Sequence, residues 1–126
     1  MAPTGVAAVN IDGTTIHATL GINVGGTLYL LNDRQGRILK NKLAEVKFII
    51  IDEISMVSNV LLYQVHQRLN VIYGCSAESP FAGLPVLACG DLYQLPPVKG
   101  APIYCNTGNI KGYLRRSEER RVGKEC

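Results

Sequence analysis

Two short runs of apolar residues, each ending at an acidic residue, dominate the hydrophobic pattern of the chain. Residues 46–51 read VKFIII and are followed by Asp-Glu, and residues 85–89 read PVLAC and are followed by Gly-Asp. Short runs of β-branched and aromatic residues that stay apolar are typical of parallel strands covered by helices on both faces. The pattern therefore predicts two buried strands that both stop at an acidic residue.

An amphipathic helix is predicted between these two strands. Its apolar positions recur at intervals of three and four residues, at Val57, Leu61, Val65, Leu69 and Ile72. The glycine at position 74 is expected to end the helix. Strand, helix and strand form a βαβ unit, which predicts an α/β domain with a parallel sheet and helices on both faces. In such sheets the chemistry occurs beyond the carboxyl ends of the strands, where the acidic residues lie.

The flanking regions carry weaker patterns. Residues 2–10 predict a loop that feeds a short helix, and residues 15–22 predict a second short helical stretch. Residues 28–42 are compatible with either a helix or an extended loop, because glycines interrupt their apolar spacing. Residues 1–114 are interpreted as a partial domain. The charged residues 115–126 are interpreted as non-native, adapter-derived sequence, with a solvated tail or a nucleic-acid-binding arm as the alternatives.

Composition and charge narrow the function classes. The chain has 126 residues, of which 47% are hydrophobic and 18% charged, as expected of one globular domain. Two units of the net charge of +3 come from residues 115–126, so nucleic-acid binding has to be argued from particular loops. The four cysteines lack the CxxC spacing of a zinc site. Because no apolar stretch approaches the ~18 residues of a membrane span, a soluble intracellular protein is expected.

The acidic pair after the first run has the form of a Walker B element, a hydrophobic strand that ends in two carboxylates. Mg²⁺ takes one or two carboxylates together with waters and phosphate oxygens, so Asp52 is the candidate to hold Mg²⁺ through water. Glu53 is the candidate catalytic residue that orients and polarises an attacking water. The alternative is that the two carboxylates merely end a strand in solvent.

The segment after the second run reads GDLYQLPPV over residues 90–98. A primary amide can donate to a phosphate oxygen and accept from a water at once, so Gln94 is a candidate catalytic and nucleotide-sensing residue. Asp91 is grouped with it as a nucleotide-sensing residue, and the two prolines would stiffen the loop. The alternative, a proline-rich turn with an exposed glutamine, loses weight beside the acidic pair of a neighbouring strand.

Four segments, in this order, resemble the PIF-type DNA helicases of superfamily one. They are residues 2–8 (APTGVAA), 13–17 (GTTIH), 49–56 (IIIDEISM) and 90–98 (GDLYQLPPV). The resemblance runs from residue 2 to about residue 104 and implies the first motor domain of such a helicase, a RecA-like P-loop NTPase. It implies ATP as substrate, Mg²⁺ as cofactor and 5′-to-3′ movement along single-stranded DNA. It also implies roles in DNA repair, recombination and telomere maintenance, in the nucleus or, alternatively, the mitochondrion.

The resemblance further implies that the first two segments face single-stranded DNA. The DNA-binding candidates are Pro3, Thr4, Gly5, Thr14, Thr15 and His17. Backbone amides and threonine hydroxyls can bond phosphate oxygens, and a histidine can stack or donate to a phosphate. The second histidine, His66, lies in the middle of the predicted helix and is interpreted as structural.

The chain departs from the family pattern because it contains no GxxxxGK[ST] phosphate-binding loop. We therefore expect an incomplete domain, inactive by itself, from a parent that is a DNA-stimulated ATPase. The alternatives are a non-catalytic DNA-binding or regulatory module, a pseudogene product, or a RecA-like NTPase without a helicase role. Loss of the loop's strand also predicts apolar faces and a bare edge on the strand that ends at Asp52, and hence poor solubility. The sequence specifies no oligomeric state.

Overall fold

The computed structural model describes residues 1–24 and 28–105, and residues 106–126, with the predicted boundary at 114 and tail at 115–126, lie outside this description. Its helices and strands are α1 (Gly5–Asn10), α2 (Ile16–Leu20), α3 (Asp33–Leu43), β1 (Ile49–Ile51), α4 (Asn59–Tyr73) and β2 (Val86–Ala88), with 3₁₀ helices at Ile54–Met56 and Pro80–Gly83. Within the described ranges, no helix is both long enough and apolar enough to cross a membrane.

The two predicted strands are confirmed as a parallel pair, but the prediction that both are buried was wrong for β2, whose Leu87 and Ala88 are exposed. Ile50 of β1 stands opposite Leu87 of β2. Hydrogen bonds from the Ile49 N–H to the Pro85 carbonyl (2.9 Å) and from the Cys89 N–H to the Ile51 carbonyl (2.8 Å) extend the ladder at both ends. Strand β1 is shorter than the apolar run that predicted it. Residues 47 and 48 are exposed, so the apolar character of the run does not reflect burial there.

Strand β1 is hydrogen-bonded on both sides. On the side away from β2, the ammonium of Met1 donates to the Ile50 carbonyl (2.7 Å) and the Asp52 N–H donates to the Met1 carbonyl (3.0 Å). In the part of the chain that is described, β2 therefore has the unpaired edge. The expected bare edge exists, but the expectation that it lies on the strand ending at Asp52 was wrong, because the backbone of Met1 pairs there.

The core lies on one face of this sheet. Ile49 and Ile51 point into an apolar cluster, whereas Ile50 is 40% exposed and its cross-strand neighbour Leu87 is 57% exposed. Successive side chains of a strand point to opposite faces, so two faces with different surroundings follow directly. The expected cover of helices is present over Ile49 and Ile51. The face of Ile50 is open among the described residues.

The predicted amphipathic helix is confirmed as α4. Val57, just before the helix, and Val65, Leu69 and Ile72 within it are buried in the same cluster as β1. The helix begins where the Ser58 hydroxyl accepts the Leu61 N–H (3.1 Å), and it ends at Gly74 in the left-handed conformation. These caps fix its length at both ends.

The ambiguous stretch at residues 28–42 contains helix α3. The Asn32 side chain accepts the Gln35 N–H (2.8 Å), and the Gln35 side chain accepts the Asn32 N–H (3.4 Å), which forms a capping box. The helix buries Leu39 and Leu43 in the core. The Asn-x-x-Gln spacing was the sequence signal for this helix start.

Two side chains of α4 hold the turn that leads into β2. The His66 Nδ1 accepts the Phe81 N–H (3.1 Å), and the Asn70 Oδ1 accepts the Ala82 N–H (2.8 Å). Both acceptors bind backbone in the left-handed region, since φ is 47° at Phe81 and 56° at Ala82. His66 thus has the structural role predicted for it, and β2 enters the sheet from a fixed point on α4.

Candidate nucleotide and DNA site

A cavity of about 730 Å³ lies at the carboxyl ends of the two strands. Three segments line it: α1 with its N-cap, the turn after β1 and the loop after β2. The lining residues are Thr4, Val6, Ala7, Asn10, Glu53, Met56, Tyr93, Gln94, Leu95 and Pro96. Of the predicted site residues, this cavity brings together Thr4, Glu53 and Gln94. The others lie outside its wall.

Glu53 reaches the cavity because the backbone turns sharply after β1. Its φ of 52° and ψ of 46° are left-handed, which is uncommon for a residue with a side chain and occurs preferentially at functional sites. The Met56 N–H donates to the Glu53 carbonyl (3.0 Å) and closes the 3₁₀ helix that follows. The turn separates the two neighbouring carboxylates, because Glu53 lines the cavity and Asp52 does not.

Asp52 is half-buried at the end of β1, beside the ammonium of Met1. Burial lowers the pKa of this ammonium, and the negative charge of Asp52 acts in the opposite direction. The described residues contain no group of three or more His, Cys, Asp or Glu side chains that could hold a metal. The single carboxylate of Asp52 is nevertheless compatible with a hydrated Mg²⁺, which keeps several waters and takes its remaining ligands from phosphate oxygens.

The loop after β2 is shaped by Asp91. Its carboxylate accepts the Tyr93 N–H (2.9 Å) and its carbonyl accepts the Gln94 N–H (3.0 Å). A carboxylate that binds the backbone two residues onward forms an Asx turn, and we name residues 91–94 the sensor turn. Asp91 supports this turn from outside the cavity, whereas Tyr93 and Gln94 line the cavity. The nucleotide-sensing role of Asp91 stays a prediction.

The two segments predicted to face DNA are joined by backbone hydrogen bonds. The Ala2 N–H donates to the Thr14 carbonyl (3.1 Å), and the Ile16 N–H donates to the Ala2 carbonyl (2.9 Å). Pro3 is half-buried and Gly5 exposed, directly after this junction. Residues 2–5 and 13–17 therefore lie side by side, as a shared ligand would require.

Thr4 and Thr15 have matching positions at the starts of two helices. The Thr4 hydroxyl accepts the Ala7 N–H at the start of α1 (3.3 Å), and the Thr15 hydroxyl accepts the Ala18 N–H at the start of α2 (3.2 Å). A hydroxyl that accepts one hydrogen bond keeps its own proton to donate. Capping therefore fixes both oxygens and leaves each able to bond a phosphate.

Thr14 and His17 complete the second segment. The Thr14 hydroxyl bonds the hydroxyl of Thr19, which also donates to the Thr15 carbonyl (2.8 Å). His17 is half-buried, and its carbonyl accepts the Ile22 N–H (3.0 Å). Sequence reasoning missed Thr19, although its spacing of four residues from Thr15 placed the two on one helix face.

Sequence reasoning did not name the other seven residues of the cavity wall as site residues. They are Val6, Ala7, Asn10, Met56, Tyr93, Leu95 and Pro96. Met56 and Tyr93 belong to motif segments in which the neighbouring Glu53 and Gln94 drew the functional interpretation. Asn10, at the end of α1, reaches the cavity only through the packing of that helix.

The chain matches known proteins along most of its length. A family model described as PIF1-like helicase matches residues 1–110. The ATP-dependent DNA helicase Pif1 of Psychrobacter sp. (strain PRwf-1) is 40% identical over 100 residues, which are 77% of this chain and 15% of the relative. The chain thus spans less than a sixth of the length of this curated relative.

Solved structures of Pif1 helicases have the same fold. One structure describes DNA unwinding at forked double-stranded DNA by two coordinating Pif1 helicases. It matches with a TM-score of 0.69 and 33% identity, over 93% of this chain and 26% of that chain. Another, the Bacteroides Pif1 helicase in complex with ADP-AlF3 and single-stranded DNA, has a TM-score of 0.65 and 32% identity over 90% of this chain and 25% of that chain. The predicted RecA-like fold is confirmed, and the chain belongs to the PIF1-like helicase family as a piece of its motor domain.

Proposed function

We propose that this chain is part of the motor of an ATP-dependent DNA helicase that couples ATP hydrolysis to 5′-to-3′ movement along single-stranded DNA. The observation that carries the proposal is the single cavity lined by Glu53, Gln94 and Thr4 at the carboxyl ends of neighbouring parallel strands. The similarity to a Pif1 helicase in complex with ADP-AlF3 and single-stranded DNA supports the pairing of nucleotide and DNA in one domain.

In this proposal Glu53 orients and polarises the attacking water. Gln94 donates to a γ-phosphate oxygen through its amide NH₂ group and accepts from the same water through its amide oxygen. Asp52 would hold Mg²⁺ through water, and the ion would neutralise charge on the phosphate oxygens. Phosphoryl transfer depends mainly on positioning and charge stabilisation, so the placement of these side chains is their contribution to the rate.

Single-stranded DNA would lie along the surface formed by residues 2–5 and 13–17. The capped hydroxyls of Thr4 and Thr15 would donate to backbone phosphates, and so would the amide of Gly5. Thr4 also lines the cavity of Glu53 and Gln94. A residue shared by both sites would let the nucleotide state influence the grip on DNA.

We further propose that the 126-residue chain does not hydrolyse ATP by itself, because it contains no GxxxxGK[ST] loop to hold the phosphates. For the complete protein we propose a nuclear location and roles in DNA repair, recombination and telomere maintenance. A fluorescently tagged complete protein should accumulate in the nucleus of its own cells. Exclusion from the nucleus would overturn that location, and the mitochondrion would be the next compartment to inspect.

The test is the complete helicase that carries this segment, with Glu53→Gln and the matched control Glu45→Gln on an exposed residue far from the cavity. Glu53→Gln should lower DNA-stimulated ATP turnover by about 10²–10⁴-fold, because it removes the general base while keeping a side chain of similar shape. Binding of a fluorescent ADP analogue should persist, and Glu45→Gln should match the parent. Gln94→Ala should retain ATP hydrolysis at a reduced rate but lose DNA unwinding.

Unwinding at the parent's rate by Glu53→Gln or Gln94→Ala would contradict the role given to that residue. ATP hydrolysis that is indifferent to single-stranded DNA would favour a RecA-like NTPase without a helicase role. DNA binding without any hydrolysis by the complete protein would favour a non-catalytic module.

A further inference from the structure

Gly90 lies against the backbone of the turn that carries Glu53. A Cβ placed on Gly90 would be 2.8 Å from the Ile54 nitrogen, 3.3 Å from the Ile54 Cγ2 and 3.4 Å from the Glu53 carbonyl carbon. The nearest of these atoms belongs to the main chain and cannot rotate away. Any side chain at position 90 would therefore displace either the end of β2 or the peptide that joins Glu53 to Ile54.

The backbone at Gly90 independently requires glycine. Its φ of 148° lies in a region that side chains with a Cβ rarely adopt. The preceding residue binds the same peptide, because the Ile54 N–H donates to the Cys89 carbonyl (2.9 Å). Two consecutive residues at the end of β2 thus hold the peptide that follows Glu53, one by a hydrogen bond and one by close contact.

The other side of Gly90 leads into the sensor turn. Asp91 follows directly and binds the N–H groups of Tyr93 and Gln94. One continuous stretch of backbone therefore contacts the turn of Glu53 at one end and carries Gln94 at the other. The link does not pass through side chains, because Cys89 and Gly90 contact the nitrogen of Ile54 with their main chain.

We propose that Gly90 is a positioning residue that couples the sensor turn to Glu53. The coupling rests on the proposed ATP hydrolysis: when Gln94 meets the γ-phosphate, the movement of the sensor turn reaches the Glu53 backbone through the contact at Gly90. The contact thereby sets Glu53 in line with the water only when the phosphate is present. A displacement of about 1 Å at a catalytic group can cost about 10²-fold in rate, so even a methyl group at position 90 should have a large effect.

Two other glycines provide matched controls. Gly74 has a φ of 67° with open space where a Cβ would lie, so Gly74→Ala adds backbone strain without a collision. Gly100 has a φ of 92° and would bring a Cβ within 2.9 Å of the Ser58 Cβ, so Gly100→Ala adds strain and a collision elsewhere. A specific role of Gly90 has to exceed both controls.

The experiment compares the three alanine variants in the complete helicase. Gly90→Ala should lower kcat for DNA-stimulated ATP hydrolysis by about 10²-fold, with the KM for ATP changed by less than about 3-fold. Gly74→Ala and Gly100→Ala should keep kcat within about 3-fold of the parent. A fall in kcat for Gly100→Ala as large as for Gly90→Ala would overturn the proposal, because strain alone would then explain both.

Hydrogen exchange provides a second readout that does not depend on turnover. Gly90→Ala should accelerate amide exchange at Ile54 while leaving α4 protected and binding of a fluorescent ADP analogue unchanged. Unchanged exchange at Ile54, or loss of ADP binding together with α4 protection, would overturn the proposal, since the glycine would then serve no local contact or only the fold. If the parent itself hydrolyses no ATP, the proposed function fails, whereas this exchange result still decides whether the contact exists.

Discussion

The surroundings of α4 and the rim of the cavity differ in how they treat apolar side chains. On α4, Leu69 is 1% exposed and packs among residues of β1, α2 and α3. On the rim, Tyr93 is 101% exposed and Leu95 75% exposed. The apolar side chains that pack around α4 are buried, whereas the rim exposes apolar surface of the kind that ligands or partner segments cover. The same residue types thus serve folding in one region and are available for binding in the other.

The backbone differs in the same sense. Helix α4 has a serine cap and a glycine cap and normal helical geometry between them. The rim depends on a left-handed Glu53 and on Gly90, and the Ile54 N–H donates to the Cys89 carbonyl between them. Left-handed backbone also occurs beside α4, at Phe81 and Ala82, where side chains of the helix bind it. The two regions therefore differ in what holds the strained turn, which is helix side chains near α4 and main-chain contacts at the rim.

Paired leucine truncations would give the largest contrast between the two regions. Leu69→Ala should reduce the free energy of unfolding by about 2–5 kcal/mol, because it leaves a cavity in the core. Leu95→Ala should change it by less than about 0.5 kcal/mol, because that side chain is exposed. Pulse proteolysis of the complete helicase in increasing urea would measure both. Equal effects would show that the rim is packed and would break the comparison.

The open face of the sheet should make the isolated 126-residue chain associate or remain partly molten. Ile50 and Leu87 are exposed neighbours there, next to the unpaired edge of β2. Leu87→Lys should weaken self-association about ten-fold, which corresponds to the loss of about 1.5 kcal/mol of leucine burial. Analytical ultracentrifugation would measure it.

The control for this variant is Leu30→Lys, since Leu30 is 95% exposed in a loop away from the sheet. It should leave the association constant unchanged. A sharp, cooperative melting transition from a monomer of the parent chain would contradict the prediction.

An intermediate effect on the free energy of unfolding is expected from the hydrogen bond between Asn70 of α4 and the turn that leads into β2. Asn70→Ala removes the acceptor of the Ala82 N–H and should cost about 1–3 kcal/mol, because it leaves that donor without its partner. Gln67→Ala, on the same helix, is the control, since the buried Gln67 Oε1 has no hydrogen-bond partner in the described residues. Hydrogen exchange of residues 79–84 should accelerate in the first variant alone. Similar exchange in both would argue that Asn70 does not hold the turn.

The smallest effect is expected at Tyr73, whose hydroxyl donates to the Leu43 carbonyl (2.6 Å). Tyr73→Phe should cost about 0.5–1.5 kcal/mol. Burial raises the pKa of Tyr73 above its usual value, so the folded state holds this proton more tightly than the unfolded state. The contribution is therefore complete below about pH 10 and is lost as the pH rises through the raised pKa. In urea titrations, the parent should be more stable than the variant at pH 7, and this difference should disappear well above pH 10. A difference that stays constant with pH would contradict this account.

Much of the framework followed from local pattern. The three- and four-residue spacing ending at Gly74 predicted α4, and the two apolar runs predicted β1 and β2. The expected burial of β2 did not follow, because burial depends on which elements pack against the strand. The sequence did not decide between helix and loop for α3, because the glycine at position 36 weakened the apolar spacing, although the Asn-x-x-Gln capping box is present in the sequence. The bare edge was assigned to the wrong strand, because strand order depends on contacts distant in sequence.

The site was predictable in its residue types and less so in its grouping. The motifs nominated Glu53 and Gln94 for ATP and Thr4 for DNA, and these roles remain predictions. Their common cavity could not be read from the chain, because it depends on how α1 packs against the two strand ends. The separation of Asp52 from Glu53 likewise depends on one left-handed residue, which the sequence Asp-Glu does not specify.

By itself, the sequence determined the parallel strands, the capped helix between them and the family, since each depends on residues close together in the chain or on their order along it. Only the tertiary structure decided that β2 has the open edge among the described residues, that Thr4 lines the same cavity as Glu53 and Gln94, and that Gly90 lies against the peptide after Glu53. These features arise from contacts between segments about 35 to 90 residues apart. Their geometry is set by packing, and the pattern of residues along the chain does not specify the distances between segments that are far apart in sequence.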